Sequence, residues 1–345
     1  MTMTDEPLLS IRNLRTRFHT DDGVVEAVDG VSFDVARGET VCIVGESGSG
    51  KSVTSESITQ LIPMPPGEIA DGEVYFDGED VTTLSDGELR ALRGGRIGHV
   101  FQNPQGALNP VYTVGYQIRE AITAHHDVSK ADARQRAIDL LEDVGIPEAA
   151  TRVDDYPHEF SGGMKQRVVI AIALACEPDL LIADEPTTAL DVTIEAQILD
   201  LLDNLQDEYD VSIVFITHDL GVVAEIADRV VVMYAGKVME VGTVEDVFET
   251  PAHPYTQALL ECLPGRSTLE PIPGSLPSPI DPPDGCRFHD RCTYANGECS
   301  VGEQPPMYDR SPEHRVSCVH WEPGSDGLPE PGGDRDVSPV AGGDR

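Results

Sequence analysis

The sequence predicts an α/β fold built on a parallel sheet. Three observations carry that prediction. Short apolar runs alternate with helical periodicities along the chain, one such run opens directly into a glycine-rich turn and a Ser/Thr-rich helix, and 40% of the 345 residues are apolar while only 5% are aromatic. A length and composition of this kind supply an ample, mainly aliphatic core. In order, Leu8 to Leu14, Val24 to Val28 and Val31 to Val35 alternate as strands do, divided by the turn formers Asp21-Asp22-Gly23 and Asp29-Gly30. Thr40 to Val44 reads as a buried strand. Apolar residues recur at helical spacing from about Ser85 to Arg96 and from Val114 to Val144, with Pro104, Pro110 and Pro147 as breaks. Strand-like runs return at Leu180 to Ala183 and Val211 to Ile216, with a helix from Val192 to Glu208 between them. Val230 to Tyr234 and Lys237 to Val241 follow, joined by Ala235-Gly236. Strand and helix in this alternation give a parallel sheet covered by helices. After Pro251 the chain becomes dense in proline and glycine through Gly285, and from Gly324 onward Gly, Pro and Asp dominate, the composition of a disordered acidic tail.

The chain carries 61 Asp plus Glu against 24 Lys plus Arg, a formal net charge of −37. Each third of the sequence holds more than twice as many acids as bases, so acidity belongs to the whole surface. Nucleic-acid binding through a broad basic face is excluded, because phosphates need Lys and Arg to displace their counterions. Only Lys51, Lys130, Lys165 and Lys237 are lysines. This composition suits a halophilic protein in strong salt, where repulsion is screened to within about 3 Å at 1 M. The opening stretch Met1 to Leu9 has Asp5 and Glu6 where a secretory signal has a cationic start. The longest apolar run, Val168 to Cys176, is half of what a bilayer-spanning helix needs. A soluble, cytoplasmic chain is expected.

Gly45-Glu46-Ser47-Gly48-Ser49-Gly50-Lys51-Ser52 fits G-x-x-x-x-G-K-[ST] between a buried strand and a helix. Its glycines let successive N–H groups converge on phosphates at a helix N-terminus. Lys51 offers a mobile cation to the β- and γ-phosphates, and the Ser52 hydroxyl can ligate Mg²⁺. Leu180-Leu181-Ile182-Ala183-Asp184-Glu185 is an apolar strand ending in paired acids. There Asp184 is placed to hold Mg²⁺, directly or through water, and Glu185 to polarise the attacking water. In so acidic a chain this pair alone is a weak signal. Phe160-Ser161-Gly162-Gly163-Met164-Lys165-Gln166-Arg167 adds a second anion site, with Ser161 capping a helix whose amides Gly162 and Gly163 leave bare. One lysine-bearing loop and two phosphate-binding helix ends imply that the second end serves a nucleotide held by another chain.

In these motifs the sequence resembles the ATP-binding subunits of ABC transporters, although Phe160 and Met164 depart from the commonest L-S-G-G-Q signature. The resemblance implies an ABC-type nucleotide-binding domain over residues 1–250: a P-loop core with a parallel sheet, an antiparallel β subdomain and an α-helical signature subdomain at about 103–175. Phe18 matches the aromatic that stacks on adenine, with a simple core role as the alternative. Gln102, in Val100-Phe101-Gln102-Asn103, matches the Q-loop glutamine that senses metal and attacking water. Ala189-Leu190-Asp191 matches the D-loop, and His218, in Ile216-Thr217-His218-Asp219, the switch histidine at the γ-phosphate. With ATP and Mg²⁺ as cofactors, two such domains are implied to close head to tail, each ATP lying between one chain's Gly45–Ser52 and the other's Ser161–Gly163.

His253-Pro254-Tyr255-Thr256-Gln257-Ala258-Leu259-Leu260 and the proline-rich stretch after it look like the C-terminal region of dipeptide/oligopeptide importer ATPases, here residues 251–323. Ala107 to Gly115 and Tyr156 to Phe160 have similar counterparts, and Gly45 to Ile58 with Leu108 to Ile118 are closer to the "D" subunit than to the "F" subunit. The implied partners are an F-type ATP-binding subunit, or a second copy, two transmembrane permeases and an extracellular solute-binding protein, with this chain peripheral on the cytoplasmic face of the membrane. Nickel or another small solute is the alternative cargo. A soluble ABC ATPase of translation or repair is disfavoured by the single phosphate loop, the lack of room for a coiled coil and the charge. An inactive cassette is disfavoured because no catalytic position is lost. Cys42, Cys176 and Cys262 sit in apolar surroundings. Cys286, Cys292, Cys299 and Cys318 are spaced C-x5-C-x6-C-x18-C, without the C-x2-C pairs of structural zinc. Four thiols in a reducing compartment point to metal rather than disulfides. The resemblance implies a [4Fe–4S] cluster; Zn²⁺, with His289, His314 and His320 as spare donors, and unligated thiols remain alternatives.

On the halophilic reading, whose alternative is an ordinary acidic cytosolic protein, salt is expected to be a condition of stability. The protein is expected to melt at a distinctly higher temperature in molar KCl than in dilute buffer; equal melting temperatures would contradict the halophilic reading.

Overall fold

The computed structural model describes residues 6–102, 104–188, 190–263, 272–325 and 327–329. Two long strands open it, β1 (Leu9–Thr20) and β2 (Gly23–Val35), paired antiparallel. Asp29-Gly30 does not divide the second strand as its turn chemistry predicts. Gly30, at φ 80°, is the extra residue where pairing passes from Leu14↔Val31 to Arg15↔Asp29, a bulge that twists the ribbon without ending it. Strand β3 (Thr40–Val44) is buried at all five positions and leads to α1 (Lys51–Ile58). Strands β4 (Gly67–Phe76) and β5 (Glu79–Asp80), absent from the sequence reading, complete a four-stranded antiparallel sheet ordered β2-β1-β4-β5.

Helix α2 (Asp86–Leu92) starts at a capping box between Ser85 and Glu88. It stops at Leu92, short of Gly94-Gly95 and of the Arg96 end of the periodic stretch, and β6 (Ile97–Val100) follows that stretch. A helical segment follows: α3 (Pro104–Ala107), α4 (Val114–His125), α5 (Lys130–Asp143), α6 (Ala149–Arg152) and α7 (Gly162–Leu174). The periodicity from Val114 to Val144 is two helices, because His126 is extended and Ser129 accepts the Asp132 N–H to cap a new start.

The chain then alternates β7 (Leu180–Asp184), α8 (Val192–Tyr209), β8 (Ser212–Thr217), α9 (Leu220–Ile226), β9 (Arg229–Tyr234) and β10 (Lys237–Thr243). After it come α10 (Val244–Glu249), α11 (Pro254–Glu261) and two short strands, β11 (Tyr308–Asp309) and β12 (Arg315–Val316). The main sheet is ordered β11-β12-β10-β9-β3-β8-β7-β6. Its five strands from β9 to β6 are parallel, as predicted, and the remainder are antiparallel additions. The β9–β10 hairpin turns through Ala235 (φ 47°) and Gly236 (φ 80°), both positive as a two-residue type I′ loop requires. One face of the main sheet packs on the antiparallel sheet through residues such as Ile11, Phe33 and Ile43; the other packs on helices through Leu141, Ile170 and Leu202.

The chain beyond residue 250 folds onto this sheet. Strand β12 pairs with β10, and Phe288 joins the helix-side core. Glu240 on β10 is wholly buried yet fully occupied: it accepts the N–H groups of Ala252 (2.6 Å) and His253 (2.9 Å), and His314 Nε2 lies 2.7 Å away. Each such bond to a charged group contributes roughly 1.5–3 kcal/mol, and removing the carboxylate would strand two buried donors. Of the tail expected to be disordered, Leu328 packs near Trp321 and Val316, while residues 330–345 lie outside the described residues. No helix among the described residues is long and apolar enough to cross a membrane.

Candidate nucleotide-binding site

Strands β3, β8, β7 and β6 lie side by side, and their C-terminal ends deliver the Gly45–Ser52 loop, His218, Asp184-Glu185 and Gln102 to one edge. This is the edge where open α/β sheets hold ligands. Two glycines of the loop have no alternative. A Cβ on Gly45 (φ 151°) would lie 2.1 Å from the Met233 carbonyl oxygen, and one on Gly50 (φ 99°), which caps α1, 2.4 Å from that of Ala27. Lys51 is only 5% exposed, and its Nζ donates to the carbonyls of Gly45 (2.8 Å) and Glu46 (2.9 Å). Burial lowers its pKa below the ordinary 10.5, against the opposing pull of Glu185, Asp184 and Glu46.

Asp184 ends β7 with Oδ1 buried and without a hydrogen-bond partner. Burial raises its pKa, the Ser52 hydroxyl that donates to it works the other way, and the charge of Glu185 raises it further. An orphaned carboxylate oxygen beside a hydroxyl is the hard-oxygen donor set that suits Mg²⁺, so these residues fit that ion. Glu185 is held at φ 45° with its N–H donating to the Ile216 carbonyl (2.9 Å). Its carboxylate accepts from Gln102 Nε2 (2.9 Å) and Thr188 Oγ1 (2.9 Å), with His218 Nδ1 at 3.1 Å. Burial pushes its pKa up, but these three neighbours together hold it below the ordinary carboxylate value, leaving an anion at neutral pH. Gln102 is thus turned to Glu185. A cavity of about 380 Å³ opens between Gly45, Ser47, Gln102, Glu185, His218 and Leu259.

Other expected site residues lie elsewhere. Ser161 caps α7 by accepting the Met164 N–H (3.3 Å), and a Cβ on Gly162 would meet nothing within 4 Å, so this helix end is open. Gly163 is closed on Ile194, where a Cβ would lie 2.6 Å from its side chain. Asp191 caps α8 by accepting the Ile194 N–H (3.0 Å). Ala189 of the expected D-loop and Asn103 beside Gln102 lie outside the described residues. Phe18 is half-buried on β1 between Val25 and Gly67, its ring 3.0 Å from where a Gly67 Cβ would stand.

The four late cysteines are free thiols, three of them buried. Cys292 Sγ accepts the Tyr294 N–H (3.4 Å) and Cys299 Sγ the Asn296 N–H (3.5 Å). Burial pushes Cys286 up to about 11 and Cys292 and Cys318 up to about 12; Cys318 also feels the charge of the other three. Among the described residues no three His, Cys, Asp or Glu groups converge tightly enough to hold a metal ion. The histidines expected as spare zinc donors are engaged elsewhere: His289 Nδ1 lies 2.7 Å from the Cys286 carbonyl, His314 stands between Glu240 and Asp246, and His320 Nε2 lies 2.9 Å from the Tyr294 carbonyl.

The sequence reading missed Thr188, Tyr255, Leu259 and Arg291 as neighbours of the site. The run His253 to Leu260 and the two arginines between Cys286 and Cys292 were visible in a base-poor chain, but nothing in their spacing pointed to the phosphate loop.

A P-loop after β3, a Walker-type Asp-Glu pair at the end of β7, and a separate glycine-based helix start that does not line the cavity beside the loop define an ATP-binding cassette of the ABC class, an ATPase. The comparisons agree. Residues 28–188 match the ABC transporter family and residues 239–299 the family described as the oligopeptide/dipeptide transporter C-terminal region. The chain is 53% identical to the oligopeptide transport ATP-binding protein OppD of Bacillus subtilis (strain 168), covering 90% of this chain and 87% of that protein. It is 52% identical to the dipeptide transport ATP-binding protein DppD of the same organism, covering 91% and 94%. Among solved structures it resembles the dimeric ATP-binding cassette MJ0796 bound to ADP and Pi, with TM-score 0.62 and 31% identity over 68% of this chain and 98% of that one. CbiO1 from Clostridium perfringens, part of the ABC transporter complex cbiONQ, matches with TM-score 0.62 and 30% identity over 71% and 92%. The chain belongs to the ABC transporter ATP-binding family, in its oligopeptide/dipeptide branch.

If Lys51 is the phosphate-binding cation that the sequence predicts, it would set an alkaline limit to ATP binding. In a phosphate-binding role Lys51 would act only while charged, and its lowered pKa means that charge is lost as pH rises through a value below 10.5. ATP affinity in a titration series is expected to fall on the alkaline side before an ordinary lysine would deprotonate; affinity flat up to that value would contradict the assignment.

Proposed function

We propose that this ATPase powers the uptake of dipeptides or oligopeptides, paired head to tail with a second ATP-binding subunit, F-type or another copy, beneath two permeases served by an extracellular solute-binding protein. It would sit peripherally on the cytoplasmic face of the membrane. The observation that carries the paired arrangement is the open helix end at Ser161-Gly162, which does not line the cavity that the phosphate loop lines. A second chain's nucleotide is the fitting occupant.

In this reading the loop N–H groups and Lys51 bind the phosphates, and Phe18 is the aromatic that would stack on the adenine. Ser52 and Asp184 would hold Mg²⁺, which when bound spreads the charge of the phosphate oxygens. Glu185, ionised and aimed by Gln102, Thr188 and His218, accepts a proton from the attacking water; His218, 60% exposed at its side chain, is free to meet the γ-phosphate. Asp191 would take part from the α8 start in contact with the partner chain. Closure of two chains excludes water and aligns these groups, which couples hydrolysis to movement.

A permease contact is supported by the helical segment. Val111 (70% exposed), Tyr112, Tyr116 and Tyr156 leave large apolar side chains exposed, as does Phe101, which precedes Gln102 in the chain, and Tyr112 and Tyr116 stack at 4.6 Å. Neighbouring exposed apolar side chains of this size mark an interaction face. For the four late cysteines the reading is a structural [4Fe–4S] cluster: four thiols, two of them accepting backbone N–H groups, are the donor type such a cluster takes. Such a group, when bound, would tie together strands of chain that have little regular structure.

Glu185→Gln is expected to lower ATP turnover roughly 10²–10⁴-fold and to accumulate ATP-bound closed dimers, read by hydrolysis assay and gel filtration. Unchanged turnover in the assembled transporter would remove Glu185 from its role. Anaerobically purified protein is expected to be brown and to contain about four irons per chain; a colourless, iron-free sample would remove the cluster.

A further inference from the structure

Glu46, the second residue of the phosphate loop, has every polar atom occupied. Its N–H donates to Tyr255 Oη (2.9 Å) and its carbonyl accepts from Lys51 Nζ (2.9 Å). Its carboxylate receives a fork from Arg291, 2.7 Å to Oε2 and 2.9 Å to Oε1. Tyr255 stands on α11 and Arg291 in the turn between Cys286 and Cys292, so both holders come from the C-terminal region.

Arg291 is itself fixed. Its side chain is 6% exposed and it donates to Tyr234 Oη (3.1 Å) and to the carbonyls of Ile272 (3.0 Å) and Pro273 (2.8 Å). Tyr234, Tyr255 and Phe288 pack around it with ring centroids 4.7 to 5.2 Å apart. A bidentate arginine–carboxylate pair mostly out of water is directional and stiff, unlike an exposed ion pair. The Lys51 ammonium, in contrast, donates among the described residues to the Gly45 and Glu46 carbonyls, which an arriving phosphate can replace. The loop therefore has a fixed corner at Glu46 and a movable end at Lys51.

We infer that Arg291, seconded by Tyr255, is a positioning residue for ATP binding: through Glu46 it holds the first corner of the phosphate loop, so that the loop amides keep their anion-binding geometry while Lys51 alone moves onto the phosphates. The inference rests on reading Gly45–Ser52 as the triphosphate site. Neither Arg291 nor Tyr255 touches Glu185 or the water it activates, so the effect falls on affinity and not on the chemical step.

ATP titration of the full chain and steady-state ATPase assays in molar KCl test this. Arg291→Ala is expected to weaken ATP binding roughly tenfold with kcat changed less than about twofold, and Arg291→Lys, which keeps the charge but not the fork, to fall between. Glu46→Gln is expected to weaken binding similarly, and Arg291→Ala combined with Glu46→Gln to be no worse than the weaker single variant. Wild-type affinity in both single variants, with only the melting temperature lowered, would overturn the inference. If Arg291→Ala does not fold, Glu46→Gln and Tyr255→Phe read the same corner from the other side. Lys51→Ala separates the two readings. Lost ATP binding there, with normal affinity in Glu46→Gln, removes the clamp and leaves the site; normal binding in Lys51→Ala removes the site itself.

Discussion

A lysine ammonium buried among carbonyls at the end of β3 is the contact around which the rest of this structure is arranged. Desolvating a cation is costly unless something negative or strongly polar faces it. Here the Gly45 and Glu46 carbonyls, with Asp184 and Glu185 nearby, do so until phosphate arrives. The loop can fold this tightly only because Gly45 and Gly50 bring the backbone against Met233 and Ala27, closer than any Cβ would allow. The surrounding net charge of −37 makes this local geometry decisive. A surface of this charge repels an anion such as ATP, and short-range donors act against that repulsion.

The acid chemistry of the site follows from the same edge of the sheet. Adjacent carboxylates are pushed apart in character by their surroundings: Asp184, buried with an orphaned oxygen, waits for a cation, while Glu185, saturated by hydrogen bonds, stays ionised. Two acids side by side in sequence thus acquire different tasks because β7 ends between them and Glu185 turns into a positive φ.

The C-terminal region is bound to the cassette by buried charge. Glu240 ties the 252–253 and 314 segments to β10. Arg287 reaches Asp29 of β2, a carboxylate that burial would raise but that Lys237, Arg287 and Arg15 together hold low. Arg291, four residues on, reaches Glu46. Two arginines of one turn therefore grip the antiparallel sheet and the phosphate loop respectively, in a chain with few bases to spend. Buried pairs of this kind add little net stability over apolar packing, but they specify one register of contact.

Much of the fold was legible along the chain. The central strands and α8 declared themselves through unbroken aliphatic runs and long periodicity, because a strand covered on both faces has to be apolar throughout. Strands β4 and β6 did not. Gly67, Gly72 and the acids of β4 imitate a loop, and β6 is only four residues following a helical pattern. Asp29-Gly30 read as a turn because a bulge and a turn use the same residues, and only the partner strand tells them apart.

By itself, the sequence determined where the glycine-lysine loop, the acid pair and the second helix start lie, since each is a local motif of consecutive residues. Only the tertiary structure decided that Gln102, Thr188 and His218 converge on Glu185, that the α7 start stays outside the cavity its own loop lines, and that Arg291 closes on Glu46. That last pair lies 245 residues apart, and no periodicity or spacing encodes a contact made when two strand ends and an irregular segment are packed together.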